Sequence, residues 1–193
     1  MDTGALYRAV ALFTHTRGIP FTDENALAPS LSDINVELAY IAGEQRVFLC
    51  GRDVSEDIRK PEMSMAASHV SALPSVRAFL LDLQRDMAKR YNVVMDGRDI
   101  GTVVLPEADL KIFLTASPEA RARRRHNEYL QKGDPPTFEW VLSDIKNRDY
   151  NDENRAHAPL CQAEGAVLLD TTELTLEESI SLVLKTVREF GIS

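Results

Sequence analysis

Cysteine is nearly absent. Cys50 and Cys161 are the only two among 193 residues, far apart and without metal-ligand spacing, so the chain carries neither a disulfide framework nor a thiolate metal module, and a reducing compartment suits it. Long apolar runs are missing too. No stretch approaches the ~20 apolar residues of a membrane span, and the amino-terminal MDTGALYRAV lacks the apolar core of a signal peptide. The expectation is a soluble, cytoplasmic protein with no membrane partner. Histidines 15, 69, 126 and 157 are scattered, no Cys/His cluster offers a transition-metal site, and no Ser/His/Asp arrangement declares itself. Nor is there an excess of positive charge. The 22 basic and 30 acidic residues leave a net charge of −8 and a pI near 5.0, a field that repels nucleic acid. Any anionic ligand must therefore be held by a local cluster of arginines.

What the chain does contain is enough for a core. Hydrophobic content of 44% with 27% charged residues is ordinary for a globular protein, and the length suggests one domain, 1–193, with room for a small insertion. The organising stretch is 93–115, where two short apolar runs, Val93 to Met95 and Leu110 to Leu114, flank a charged turn. Such runs predict strands buried on both faces of a parallel sheet, and chemistry in those sheets gathers at the carboxyl ends of strands. Asp96-Gly97-Arg98-Asp99-Ile100-Gly101 falls at such an end. Two carboxylates and a guanidinium between glycines make a compact site for a polyol or an anion; the plainer alternative is a solvated turn whose charges neutralise each other.

Helix is expected almost from the start, with Asp2 or Thr3 as cap, Leu6, Val10 and Phe13 at helical spacing, and Gly18 with Pro20 as the stop. Asn35 to Val54 alternates around Gly43 and predicts an antiparallel hairpin, the best candidate for an inserted subdomain. Pro61 opens a further helical stretch, and Pro74 restarts it before the stripe Val76, Leu80, Leu83 and Met87. Ser68 and Arg77 are its polar exceptions, either solvated surface or part of a site. Ser117-Pro118-Glu119 starts a helix closed by Gly133, on which spacing puts Arg121, Arg124 and Arg125 on one face, a functional patch or a merely solvated one. The next helix, from about Phe138, has the core stripe Phe138, Val141, Leu142 and Ile145. Its other face carries Arg148, Asp152 and Arg155, read either as a salt-bridge ladder or as an acid orienting two arginines toward phosphate or ribose oxygens. Pro159 breaks this helix, Ala166 to Leu169 reads as a last buried strand, and Thr175 with Glu178 makes a capping box for an amphipathic helix. The alternation is α/β.

Arginines 8, 77, 98, 124, 125, 148 and 155, several of them beside a carboxylate, suit phosphoryl transfer, where catalysis is mostly positioning and charge neutralisation. The segments DTGALYRA, GRDVSEDIR, AASHVSALPSVR, DGRDIGTVVLPEADLKIFLTAS, EARARRR and IKNRDYNDENRAHAPL follow in that order across nearly the whole chain. Together they resemble the bacterial cytidylate kinases, nucleoside monophosphate kinases of the P-loop class that move the γ-phosphoryl of ATP onto CMP or dCMP. The resemblance implies a three-layer parallel sheet of P-loop kinase type with a small antiparallel hairpin insertion, residues 30–68 forming the monophosphate-binding insertion and 121–135 the lid. It also implies that Thr3, Ser68, Arg77 and Asp99 hold the cytosine and nearby ribose, with Arg148 and Asp152 on the sugar and Arg8 and Arg98 on the CMP phosphate. Arg124, Arg125, Arg148 and Arg155 would surround the transferring phosphoryl. ATP with Mg2+ is the implied donor, and a monomer the implied state.

One family feature is missing. No GxxxxGK[ST] occurs, and none of the lysines at 60, 89, 111, 132, 146 and 185 follows a glycine-rich loop. In the family that loop, with the first strand and helix, precedes the DTG or DSG segment. The expectation is therefore a chain without the P-loop and the central strand, impaired as a kinase because the loop's donors and lysine cradle the ATP phosphates, and with unpaired strand edges. Two further readings stand beside it: a noncatalytic CMP-binding or interaction protein derived from such a kinase, and a related kinase with another base preference.

Overall fold

The computed structural model describes residues 1–133 and 136–191. Its backbone forms two compact units, one made of residues 1–100 with 155–159, the other of 101–154 with the chain from 160 on.

The first unit is built on α1 (Gly4–Thr16), capped by Asp2, whose Oδ1 accepts the Ala5 N–H at 3.2 Å. Gly18, at φ 65°, reverses the chain beyond it, a conformation glycine adopts without a side-chain penalty. Alanines 5, 9 and 11 of α1 are buried, and α3 (Pro61–Ser71), with Ala66, Ala67 and Val70 buried, packs against this helix. A short helix α2 (Glu24–Leu27) is capped by the Asp23 side chain. Both α3 and α4 (Pro74–Arg90) open on a proline, where the absent N–H has no intrahelical use. Leu6, Val10, Leu27, Val70, Val76 and Leu80 are fully buried and form the centre of this core. Each such side chain contributes about 1.5–3 kcal/mol of transfer free energy.

Three antiparallel strands, β1 (Val36–Ile41), β2 (Glu44–Leu49) and β3 (Arg52–Asp53), lie in the order β1-β2-β3. The predicted hairpin is present, and a third strand extends it. Its signal is Cys50-Gly51, at φ 50° and 80°, which repeats the left-handed pair Ala42-Gly43 at φ 54° and 85°. Two-residue turns of this kind match the twist of the strands they join.

Among the described residues the expected strand at Val93 to Met95 does not enter a sheet. The chain there is extended, and its pairing is an isolated parallel bridge between Asp2 and Asp96. In that bridge Asp96 N–H donates to the Met1 carbonyl at 2.9 Å and Thr3 N–H to the Asp96 carbonyl at 3.0 Å. Val94 is 86% exposed.

The second unit contains β4 (Ile112–Thr115), α5 (Pro118–Lys132), α6 (Phe138–Asn154), β5 (Val167–Asp170) and α7 (Leu176–Glu189). Strands β4 and β5 pair in parallel, from Ile112 opposite Val167 to Thr115 opposite Asp170. Burial on both faces is not found, since Leu114 is 58% and Leu168 54% exposed. A short apolar run identifies a strand without saying how many of its faces are covered. The helix signals hold better. Ser117 caps α5 ahead of Pro118, Gly133 ends it at φ 81°, and Thr175 with Glu178 forms a complete capping box on α7. The architecture is α/β, with helices and a small parallel sheet, and no helix among the described residues is long and apolar enough to cross a membrane.

Candidate active site

In the first unit the parallel bridge lays Asp2-Thr3 beside Asp96-Gly97. Thr3 is buried and its hydroxyl donates to the Asp96 carbonyl at 2.7 Å, so it is occupied there while Asp2 caps the helix. This close approach requires Gly97. A Cβ at that position would stand 2.5 Å from Thr3 Oγ1 and 2.8 Å from the Ile100 side chain, closer than van der Waals contact allows.

Asp99 is buried two residues further on, and Arg77, in the first turn of α4, donates through Nη2 to its carboxylate. Both partners are shielded, with side chains 11% and 5% exposed. Arg77 Nη1 donates to the Ser71 carbonyl at 3.1 Å, and its guanidinium carbon lies 5.8 Å from the centroid of the Tyr7 ring. Ser71 is a junction. Its hydroxyl donates to the Ser68 carbonyl at 2.8 Å and accepts from Arg155 Nη1 at 3.3 Å. Arg155 Nε donates to the carbonyl of Ala158 at 2.6 Å, and Ala158 sits at φ 49°, a left-handed conformation costing a non-glycine residue roughly 1–2 kcal/mol. Ser68, Arg77, Asp99 and Arg155 are thus linked, with Arg8 and Arg98 half-buried in the same unit.

Tyr7 reports the electrostatics of this cluster. Burial pushes its phenol above the usual value; the positive charge of Arg77 opposes that, and the carboxylate of Asp99 adds to it. Arg155 and the Gln84 amide favour the phenolate more weakly.

The second unit holds the other candidates. Asp152 is buried on α6, and Arg148 Nε lies 3.9 Å from its Oδ2, one helical turn away. That is an ion-pair separation, too long for a hydrogen bond between those atoms. The stripe does not continue to Arg155, because α6 ends at Asn154 and Arg155 belongs to the first unit.

Nor do the arginines of α5 act as one face. Arg121 forks onto Asp149 at 2.9 and 2.7 Å and donates from Nε to the Ala116 carbonyl at 2.9 Å, and the Asp149 hydrogen bond raises its pKa further. Arg124 Nη2 donates to the carbonyls of Thr171 and Leu174. Arg125 folds back along its own helix, donating to Tyr129 at 3.1 Å and Glu128 at 3.3 Å. Helical spacing fixes where a side chain leaves the axis, while a long guanidinium stem decides where it ends. Residues 134 and 135 of the expected lid lie outside the described residues. Among the described residues no group of three or more His, Cys, Asp or Glu side chains is placed to hold a metal ion.

Sequence reasoning missed Ser71, Tyr7 and Gln84. Gln84 is buried beside the expected apolar stripe, its Nε2 donating to the Leu80 carbonyl at 2.9 Å. Its signal was a polar residue four positions after Leu80.

A family model described as cytidylate kinase matches residues 1–189. The cytidylate kinase of Caldanaerobacter subterraneus subsp. tengcongensis is 50% identical over 191 residues, covering 98% of this chain and 83% of that protein. That of Caldicellulosiruptor bescii is 47% identical over 185 residues, covering 96% and 82%, and that of Lactobacillus johnsonii 42% over 189 residues, covering 98% and 82%. With nearly every residue inside these matches, the chain belongs to the cytidylate kinase family and is a nucleotide-binding phosphotransferase of that type.

Proposed function

We propose that the first unit binds CMP or dCMP and presents its phosphate for transfer of the γ-phosphoryl of ATP, giving CDP or dCDP. The observation that carries this reading is the shielded Arg77–Asp99 pair. Cytosine offers an amino donor beside acceptors, which a carboxylate and a guanidinium meet together, whereas uracil turns an acceptor toward the carboxylate and leaves buried polar groups unpaired. Thr3 and Ser68 complete the base and ribose site, and Arg148 and Asp152 serve the sugar. Arg8 and Arg98 grip the phosphate, for which guanidinium geometry is well matched.

Arg124, Arg125, Arg148 and Arg155 neutralise charge as it develops on the transferring group. For Arg124 that role means exchanging the Thr171 and Leu174 carbonyls for phosphate oxygens. The proposed fold is a single nucleoside monophosphate kinase domain of the three-layer P-loop type, with 30–68 as the monophosphate-binding insertion and 121–135 as the lid. It is a cytoplasmic monomer. Magnesium, which supplies further charge neutralisation when bound, would be held chiefly by ATP phosphates.

Because the sequence contains no GxxxxGK[ST], the 193 residues alone should transfer phosphoryl groups poorly. The same feature favours a second reading, CMP binding without catalysis. Calorimetric titration with CMP, UMP and MgATP tests both. CMP bound at least about tenfold more tightly than UMP supports the base site; equal affinities, or no binding of CMP, overturn it. CMP binding without MgATP binding favours the second reading.

A further inference from the structure

We infer that Tyr7 is a positioning residue for the base site, its ring being the platform that holds the Arg77 guanidinium in the plane where it meets Asp99 and the nucleobase. The inference rests on the CMP reading above. Arg77 is gripped at two edges, through Nη2 by Asp99 and through Nη1 by the Ser71 carbonyl at 3.1 Å. Contacts at the edges fix where the group lies but resist tilting about the line joining them only weakly. A face contact supplies that resistance. The Tyr7 ring centroid lies 5.8 Å from the guanidinium carbon, within the ~6 Å over which an aromatic face attracts a cation, and shielding from water strengthens the attraction.

The platform is itself fixed. Tyr7 is 8% exposed among the packed side chains of α1, so little rotamer freedom remains to be lost when a ligand arrives. Its phenol is acted on by the Gln84 amide, two helical turns along α4 from Arg77. One ring from α1 therefore meets two polar residues of α4. The hydroxyl end of the ring therefore faces the Gln84 amide and the ring face the Arg77 guanidinium. Separate substitutions distinguish these two roles.

Tyr7→Leu removes the ring and Tyr7→Phe only the hydroxyl. The 193-residue chain and its variants are titrated with CMP and with UMP by calorimetry, and urea unfolding checks that each is folded. Tyr7→Leu should weaken CMP binding about tenfold and shrink the CMP-over-UMP preference in the same proportion, while Tyr7→Phe keeps CMP affinity within about twofold. If Tyr7→Leu does not fold, Tyr7→Met, also apolar and ringless, carries the same expectation. A folded ringless variant with an unchanged CMP-over-UMP ratio overturns the inference, since a merely structural ring would leave that ratio alone. Arg77→Ala separates the two levels. If it leaves CMP binding unchanged, the base-site reading falls and the inference with it; if it weakens CMP binding where Tyr7→Leu does not, only the inference falls.

Discussion

Asp99→Ala should destabilise the first unit by about 3–5 kcal/mol, the usual cost of breaking a buried charge pair on one side. The size follows from the shielding. With side chains only 11% and 5% exposed, water cannot replace the lost carboxylate, and Arg77 would keep its charge beside the Ser71 carbonyl and the Tyr7 ring alone. With a denaturant slope of about 2 kcal/mol per molar, the urea midpoint should fall by about 2 M. Arg77→Leu should also destabilise, because it removes the guanidinium that the buried carboxylate accepts from. The double variant Arg77→Leu/Asp99→Ala leaves neither half of the pair behind, so it should cost no more than the costlier single change, which makes the coupling at least as large as the smaller single cost. Far-UV circular dichroism follows the whole chain, while fluorescence of Trp140, the only tryptophan, reports the second unit. That separation is needed wherever two units can melt independently. If the two single costs add to within about 0.5 kcal/mol in the double variant, the pair is not a buried couple and the account of the site's rigidity is wrong.

Gly97→Ala should cost about 1–3 kcal/mol by overpacking, because the new Cβ would stand 2.5 Å from Thr3 Oγ1. Adding Thr3→Ala should recover part of that loss in urea unfolding, and no recovery would place the strain elsewhere. Asp53, which accepts from the Ser55 hydroxyl, the Ser55 N–H and Arg46, has its pKa lowered from 3.8 to about 2. A folded pKa below the unfolded one binds the proton less tightly, so its stabilising contribution is present above about pH 4 and lost as pH falls through 2. The melting-temperature advantage over Asp53→Asn should shrink from pH 5 to pH 2, and an advantage that grows on acidification would contradict the assignment.

Helix starts and stops were legible because their chemistry is local. Ser117-Pro118, Gly133 and the Thr175–Glu178 box each act within one turn. The Asn35 to Val54 hairpin was legible for the same reason, although its third strand needed Cys50-Gly51 to be recognised as a second left-handed turn. Pairings over distance were not. Arg77 and Asp99 are 22 residues apart, and neither helical nor strand periodicity links them; each stood out on its own, as a polar exception on a helix and as part of a charged turn, but only the family resemblance joined them in one site. Arg155 fits the stripe of α6 only if the helix runs on toward Pro159, whereas it ends at Asn154. The extended chain at Val93 to Met95 has strand composition, but composition does not supply the neighbour that would make it a ladder.

The first unit is discontinuous, and this bears on the order in which the chain can fold. Residues 1–100 leave the ribosome well before 155–159 exist, so Ser71 can take its Ser68 partner early while Arg155, 84 positions later, arrives after α5 and α6 have been synthesised. Closing a loop of that length carries an entropic cost of about 4 kcal/mol, which places the Arg155 contact late in folding. A nascent chain interrupted before residue 155 would carry Arg77 and Asp99 already paired and still lack Arg155.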